Sequence, residues 1–471
     1  MKRRTYQLAY ILLAVALLGT GCLGDLGIKP QDRVPQQGAF NNVTALNTGV
    51  LGVYAGLNYG ATQYITTLLT DEATMPRENN TGRGVIPWRW QYDPGTSAEP
   101  AAAWGAYYDV IDRANRVLAV IDQVPATGEE LVTRNRLKAE LLALRAFSHL
   151  ELLSYYSVDY EPASPGVPVM TESKLSKPPR DAVSKVYQQI NADLVAAKGL
   201  FPANYVVTNR QRIDPLIVTA IQARASLLQK NYDAAINFAT QVIDARPLAS
   251  AAAFPNIWTD LSTAEVIWKL KRDNGEERLG VNYRDNTGRI IWAPSFKLME
   301  SFDPVNDIRF ANYFRNLGTV DAPRWTAIKF VGGQAALVNL ADAKLFRTAE
   351  MYLIRAEANA RKATPNVVAG AADLNALRTA RITGYVPEIF PTAAALLDAV
   401  IQERFKELAF EAARYVDLRR NNRQINRGPK DVALAQDAVN LTQDDREYWL
   451  PIPQAEIFAN ENIAQHPKWQ Q

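Results

Sequence analysis

Apolar residues recur along this chain at helical spacing. Leu46, Val50, Val53 and Leu57 follow at steps of four, three and four, and Trp104, Tyr108, Ile111 and Asn115 continue such a stripe in a second segment. Both stripes predict amphipathic helices. From Leu137 the pattern doubles: Leu137, Leu141, Leu144 and Phe147 form one stripe, while Leu142, Ala146, Leu150 and Leu153 form another on a different face. A helix apolar on two faces must be covered on both, so this segment is expected as an internal layer. Its expected partner is the segment at 186–200, reached across a proline-rich connection at 162–179.

Residues 216–244 predict a helical hairpin. Leu216, Ala220, Ala223 and Leu227 make the inner face of one helix, Lys230, Asn231 and Tyr232 the turn, and Ile236, Ala239 and Ile243 the facing helix. Small residues at Ala220, Ala223, Ala235 and Ala239 let the axes approach closely, as in a tetratricopeptide helix pair. The same design returns at 346–362 with 370–381, and at 396–410 with 415–420. One such pair cannot bury its own apolar face, so about four pairs stacked into a right-handed superhelix are expected. The fold class is therefore mainly all-α, a tetratricopeptide-like superhelix with an irregular, loop-rich lobe.

That lobe is assigned to 71–104 and 254–340, which break the helical pattern and hold Trp88, Trp90, Trp258, Trp268, Trp292 and Trp325, with Tyr283 and Tyr313 between them. Gly, Pro, Asn and Asp punctuate both regions, predicting loops, short helices and a small hairpin. Binding residues tend to sit on such excursions over a rigid scaffold.

The N-terminus changes the picture of where the chain works. Lys2, Arg3 and Arg4 precede an apolar run at 8–18, then Gly19, Thr20 and Gly21 lead to Cys22. This is the order of an export signal, with an apolar run too short to span a bilayer. Residues 1–21 are assigned as a lipoprotein signal peptide, 22–40 as lipid anchor and tether, and 41–471 as a single domain. Cys22 is the only cysteine, so no intramolecular disulfide can form; following a small glycine, it is assigned as the lipidated residue, the alternative being a free thiol on a soluble periplasmic protein. Acyl chains contribute roughly 0.8 kcal/mol per buried methylene, enough in combination to hold a folded domain on a membrane. The formal charge of +3 is accounted for by the three leader cations, leaving a neutral exported chain whose basic residues are scattered in sequence. Nucleic acid is not an expected partner.

Several residues have spacings that suggest chemistry, and each also has a plainer role. Glu403, Glu407 and Glu411, at steps of four on one helical face, have a spacing that could build a metal site; like charges so placed need compensation, and Arg404, Arg414, Arg419 and Arg420 are near enough in sequence to give it. A structural ion network is expected. His149 and His466 are the only histidines; neither has a catalytic spacing, and His149 is read as a packed residue. The pair Gly82 and Gly84 lacks the strand-to-helix context of a phosphate cradle. Asp71, Glu72 and Asp93 lie in the aromatic loops, where hydrolysis of a glycosidic bond would need a raised pKa and a set separation, and partnership with sugar hydroxyls is favoured. No catalytic residue, cofactor or metal is assigned.

Several segments resemble the SusD/RagB family in order: FRTAEMYLIRAEA at 346–358, LNALR at 374–378, ERFKELAFE at 403–411, DLRR at 417–420 and LPIPQAEI at 450–457. Ala139-Glu140, LRAF at 144–147, Arg113-Ala-Asn115 and Asp307-Ile-Arg309 also match, so the resemblance covers almost the whole mature chain. It implies an outer-membrane lipoprotein, outward facing, that lies over a SusC-like TonB-dependent barrel and passes oligosaccharides to it. Most members bind glycans and some bind peptides.

A pyranose presents a C–H face that packs on an aromatic ring, while its hydroxyls need polar partners. Trp88, Trp90, Trp292 and Trp325 are therefore expected as platforms, with Asn79, Arg83, Asp71 and Tyr283 as polar partners; Trp258 and Trp268 flank helical segments and are read as core. The expected function is glycan capture for uptake. Peptide capture, a glycosidase using Asp71 or Glu72, and a purely structural adaptor are the competing readings.

Overall fold

A computed structural model describes residues 36–470. The signal peptide, Cys22 and the tether as far as residue 35 lie outside the described residues. The rest is mainly helical, as the periodicity predicts.

The long helices are α1 (Val43–Ala55), α2 (Tyr59–Leu69), α3 (Ala98–Ile121), α4 (Gly128–Tyr156), α5 (Val183–Leu200), α6 (Pro215–Leu228) and α7 (Tyr232–Ala245), then α8 (Thr348–Arg361), α9 (Val367–Arg381) and α10 (Ala393–Glu407), closed by the short α11 (Arg414–Arg420). Their starts follow from local chemistry. Asn42, Asp214, Asn231, Asn366 and Thr392 each accept a hydrogen bond from a backbone N–H of the first turn, satisfying donors that the helix itself leaves unpaired. Pro215, at the first position of α6, has no N–H to leave unpaired.

Helix α4 is the internal layer that its two apolar stripes require. From Leu137 to Tyr156 nearly every side chain is buried. It packs against α3 on one side and α5 on another, with α1 also against it. Helices α6 and α7 form the predicted hairpin, with Ala235 and Ala239 fully enclosed. Helix α8 packs on both α7 and α9, so successive hairpins stack. Gly370 makes one of these approaches possible: a Cβ there would lie 2.7 Å from Leu396 Cδ2 and 2.9 Å from the Ala356 carbonyl oxygen. Among the described residues there are also four two-stranded antiparallel ladders, one of which, at 425–426 and 440–441, lies outside the two loop-rich excursions.

Two boundaries differ from expectation. Phe346 and Arg347 are not helical but end β6 (Ala343–Arg347), which pairs antiparallel with β2 (Val266–Leu270). Both strands are buried along their length, and Trp268 stacks on Phe346 at 6.3 Å; tertiary burial decides the strand there. The last pair is also incomplete, because Phe410 and Ala412 adopt positive φ (63° and 60°) and break the path between α10 and α11. Such strain persists only where surroundings hold it. The Phe410 N–H donates to Glu72 at 2.9 Å, and the Tyr155 hydroxyl donates to the Ala412 carbonyl at 3.2 Å.

The acidic stripe is the ion network expected of it, but its partners come from elsewhere. Glu407 receives Arg347 at 2.7 Å, Arg309 at 3.0 Å and Arg381 at 3.2 Å. Glu403 pairs with Arg309 and Arg378, Glu411 with Arg347 and Lys329, and Glu265 with Arg347 and Arg381. Of the arginines expected to compensate the stripe, Arg404 and Arg420 serve Asp417, and Arg414 serves Asp71. Arg419 donates to the carbonyls of Ser154, Tyr155 and Ser157. His149 is packed as expected: its Nε2 accepts from the Met170 N–H, its Nδ1 faces the Arg145 carbonyl, and burial lowers its pKa to about 3.

Breaking a buried pair on one side leaves the other charge stranded and typically costs about 3–5 kcal/mol. Glu407→Gln is therefore expected to lower the free energy of unfolding by that order in urea titrations. Burial alone would raise the Glu403 pKa, but Arg309, Lys406 and Arg378 outweigh it and hold the group at about 2. This contribution is complete above the ordinary glutamate range near 4.5 and is lost as pH falls toward 2, so unfolding followed at pH 5, 4 and 3 should show stability dropping.

Candidate functional site

An open cleft in the loop lobe is built by three chain segments. Strand β1 (Ala73–Thr74) pairs with β3 (Ala293–Pro294), which sets the 75–84 loop beside the 284–290 turn. The hairpin of β4 (Phe314–Asn316) and β5 (Trp325–Ala327) closes a second side. Below them Asp431 ties the parts together: its carboxylate accepts from the N–H groups of Phe296 and Lys297 at 2.7 and 3.1 Å, and its carbonyl accepts from the Thr74 hydroxyl at 2.9 Å.

Between these segments lies a cleft of about 600 Å³, with Met75, Pro76, Phe296, Pro323, Trp325 and Leu434 among its lining residues. Trp325 is half-buried, its ring braced edge-on by Phe310 at 5.7 Å. Next to the cleft is a polar groove of about 570 Å³ whose lining includes Asn80, Arg284, Thr287 and Arg289. Glu78 and Arg324 line both. They form a two-pronged pair at 3.0 and 2.6 Å, and Glu78 also accepts from the Ile290 N–H at 3.1 Å while Arg324 donates to the Gly288 carbonyl at 3.2 Å. The bond from Arg324 lowers the Glu78 pKa, so the carboxylate stays charged and the bridge between the three segments holds at neutral pH. An apolar wall with the half-buried rings of Trp325 and Phe296, beside a groove of charged and hydroxyl groups, suits a ligand with both a C–H face and many oxygens.

Most residues expected to line the site lie elsewhere. Trp88 and Trp292 are fully buried and pack on each other at 5.5 Å. Trp90 is also buried, and the Arg427 guanidinium lies over it at 4.2 Å and over Trp88 at 4.5 Å. Their indole N–H groups are used internally: Trp88 donates to the Ala73 carbonyl, Trp90 to the Leu69 carbonyl and Trp292 to the Tyr64 hydroxyl. The expectation that these three rings stand open as platforms is corrected; burying a large ring with its one donor satisfied is the more stable use. Tyr283 is likewise enclosed, stacked on Phe330 at 6.0 Å with its hydroxyl beside Gln63 and Thr67. Asn79 is buried and accepts from the Thr81 hydroxyl, shaping the loop that carries Glu78. Arg83 is exposed but donates to Asn282 and to the Val281 carbonyl. Gly84 explains the glycine pair: at φ +71° it passes under Tyr64, where a Cβ would meet the hydroxyl at 2.4 Å.

Of the expected platforms, Trp325 alone lines the cleft. Trp258 and Trp268 are core, as read from their flanking helices. The lining residues Glu78, Arg284, Arg289, Phe296 and Arg324 were not singled out in the sequence, where no local motif marks them.

The carboxylates considered for hydrolysis are also enclosed. Asp71 is clamped by Arg414 through two bonds of 2.8 Å and by Lys297 at 2.7 Å, and is held well below the usual carboxylate range. Glu72 has the opposite fate: burial raises its pKa, the Phe410 N–H opposes this, and the neighbouring Asp71 adds to the rise, giving about 8. A raised carboxyl is therefore present, but it is fully enclosed and caps Phe410.

The fold and the cleft define a helical-repeat scaffold that carries an open cleft on a lobe built of loops. Residues 28–226 match the family described as starch-binding and associating with the outer membrane, and residues 329–469 match the SusD family. The chain belongs to the SusD/RagB family. Among solved structures it is similar to a SusD superfamily protein from Bacteroides thetaiotaomicron, at 22% identity and a TM-score of 0.79 over 90% of this chain and 100% of that one. A SusD-like carbohydrate binding protein from Bacteroides vulgatus aligns at 22% identity and 0.78 over 90% and 98%. A laminarin binding SusD-like protein aligns at 19% and 0.69 over 91% and 99%. No curated protein matches the sequence. Among the described residues no helix is long and apolar enough to cross a membrane.

Glu72 yields a test of this internal chemistry. A carboxyl whose folded pKa is raised to about 8 loses stability as pH climbs from its unfolded value near 4.5, by up to roughly 1.4 kcal/mol per unit, and levels off above 8. Glu72→Gln keeps an acceptor for the Phe410 N–H and removes the titration. Urea unfolding at pH 5, 6, 7 and 8 should show the variant gaining on the parent at each step; parallel curves would mean that Glu72 is not neutral in the folded protein.

Proposed function

We propose that this protein is a cell-surface glycan-binding lipoprotein, anchored at the outer membrane through Cys22, that captures oligosaccharide or polysaccharide in the cleft beside Trp325 and delivers it to a SusC-like TonB-dependent transporter. The observation that carries the reading is the half-buried Trp325 ring in an open cleft of about 600 Å³, bordered by a groove of charged and polar groups. The ring offers a face for the C–H side of a sugar, and the groove offers partners for its hydroxyls. The family description of starch binding at the outer membrane supports it, as does the similarity to proteins described as carbohydrate binding and laminarin binding.

The cleft has the properties of a capture site, in which cargo must be released again. A single ring contributes on the order of 1 kcal/mol, so modest affinity and easy transfer follow. No catalytic step is assigned. The residues flanking the cleft come from excursions between helical hairpins, leaving the stacked hairpins as a rigid support. The domain 41–471 is taken as one functional unit on this reading, with 22–40 serving as anchor and spacer.

Two measurements test the proposal. Calorimetric titration with a panel of soluble polysaccharides should find at least one ligand, and Trp325→Ala should weaken it about fivefold, the equivalent of roughly 1 kcal/mol; an intact protein that binds no member of the panel removes the glycan reading. Affinity purification from outer membranes should bring down a large β-barrel partner, and Cys22→Ser should move the protein from the membrane to the soluble fraction.

A further inference from the structure

The groove beside the cleft collects positive charge that the sequence disperses. Arg77, Arg284, Arg289, Arg324 and Lys430 come from four separate stretches of the chain and all line the cleft or the groove, where Glu78 is the one acidic lining residue. Two of the five cations are already compensated: Arg324 pairs with Glu78, and Lys430 with Glu300. Among the described residues Arg77, Arg284 and Arg289 have no carboxylate within ion-pair distance. Asp285 lies nearby, but its carboxylate is committed to its own turn, accepting from the Thr287 hydroxyl and from the N–H groups of Thr287 and Arg289.

The buried frame differs: around Glu407, Asp417 and Glu357 arginines are matched closely by carboxylates. The Nε of Arg284 is enclosed without any hydrogen-bond partner, and its guanidinium lies against the Cα of Gly288, where an added Cβ would sit 3.3 Å from Nη2. A guanidinium held at a groove wall with its donors unspent is suited to a planar or tetrahedral oxyanion. A neutral polymer would take these donors through its hydroxyls and leave their charge unmatched, whereas a polyanion entering the groove would neutralise it along its length.

Resting on the glycan-capture reading above, we infer that the cleft selects anionic glycans, polymers carrying uronate carboxylates or sulfate esters, with Arg77, Arg284 and Arg289 as the determinants of that selectivity. Trp325 holds a sugar ring, and the groove at its side takes the charged substituents of neighbouring residues. Carboxylate and sulfate share the same recognition chemistry here, and the ligand arms of the test separate them.

The test is a comparison of matched polymers on the full-length lipoprotein in detergent. Polygalacturonate is titrated beside its carboxyl-reduced neutral form, and a sulfated galactan beside its desulfated form, at 50 and 500 mM NaCl. The expected result is that at least one charged polymer binds ten or more times tighter than its neutral partner, and that this ratio shrinks at the higher salt. Preference for the first charged polymer alone assigns uronate, for the second alone sulfate ester, and for both, charge itself. The Arg77→Gln/Arg289→Gln double variant, with its thermal midpoint checked against the parent, should reduce the ratio at least threefold, and Arg284→Gln should do the same. Equal binding of charged and neutral partners, or binding of neutral polymers only, overturns the selectivity and leaves glycan capture standing. A charged preference that survives both variants overturns the assignment to this groove. Failure to bind any polymer, charged or neutral, removes the glycan reading itself and the selectivity with it.

Discussion

Glu407 accepts ion pairs from arginines that arrive from three different parts of the chain: Arg309 on a short helix of the loop lobe, Arg347 at the end of β6, and Arg381 at the end of α9. With Glu403, Glu411 and Glu265 it forms a lattice whose members are almost wholly shielded from water. Charges in such a place are tolerated only if every one is matched in position as well as in number. That requirement fixes the hairpins, the strand pair and the loop lobe relative to each other, and the cleft depends on the placement. Non-directional packing of alanine and leucine faces would allow neighbouring helices to slide, whereas a shared carboxylate does not.

The loop lobe is an extension of this frame. Asp71 and Glu72, side by side in sequence, both reach back to the stretch following α10, one pinning Arg414 and the other the strained Phe410. The next two residues form β1, and the residues after those line the cleft. Over five residues the chain therefore passes from the innermost support to the open site. Similarly, Trp88, Trp90 and Trp292 form the hard backing behind the lobe, with Arg427 between two of the rings. Aromatic density in the loops is a sign of how such irregular backbone is made rigid, and only Trp325 and Phe296 of this group turn toward the cleft.

Particular elements show how far the residue pattern reaches. The double stripe of α4, the small-residue seam of α6 and α7, and the core positions of Trp258 and Trp268 could be read directly, because each depends on spacing within one helix or on its immediate flanks. The acidic stripe could be read as structural, yet its partners could not: the arginines nearest in sequence serve other groups, and those that compensate it lie up to 98 residues away. The strand at β6 was hidden for the same reason, since its partner β2 lies more than seventy residues earlier. Site residues fared worst. An aromatic in a glycine- and asparagine-rich loop has the same local signature whether its ring faces a neighbour or solvent.

The sequence by itself determined the helical class, the repeated hairpins, the family and the presence of a loop-rich lobe, because periodicity, capping residues and ordered motifs are properties of contiguous chain. Tertiary structure alone decided which rings are buried, which carboxylates are neutralised, and that arginines from distant stretches gather along one cleft. Those outcomes depend on distances between segments far apart in sequence, and burial and charge pairing are set by such distances.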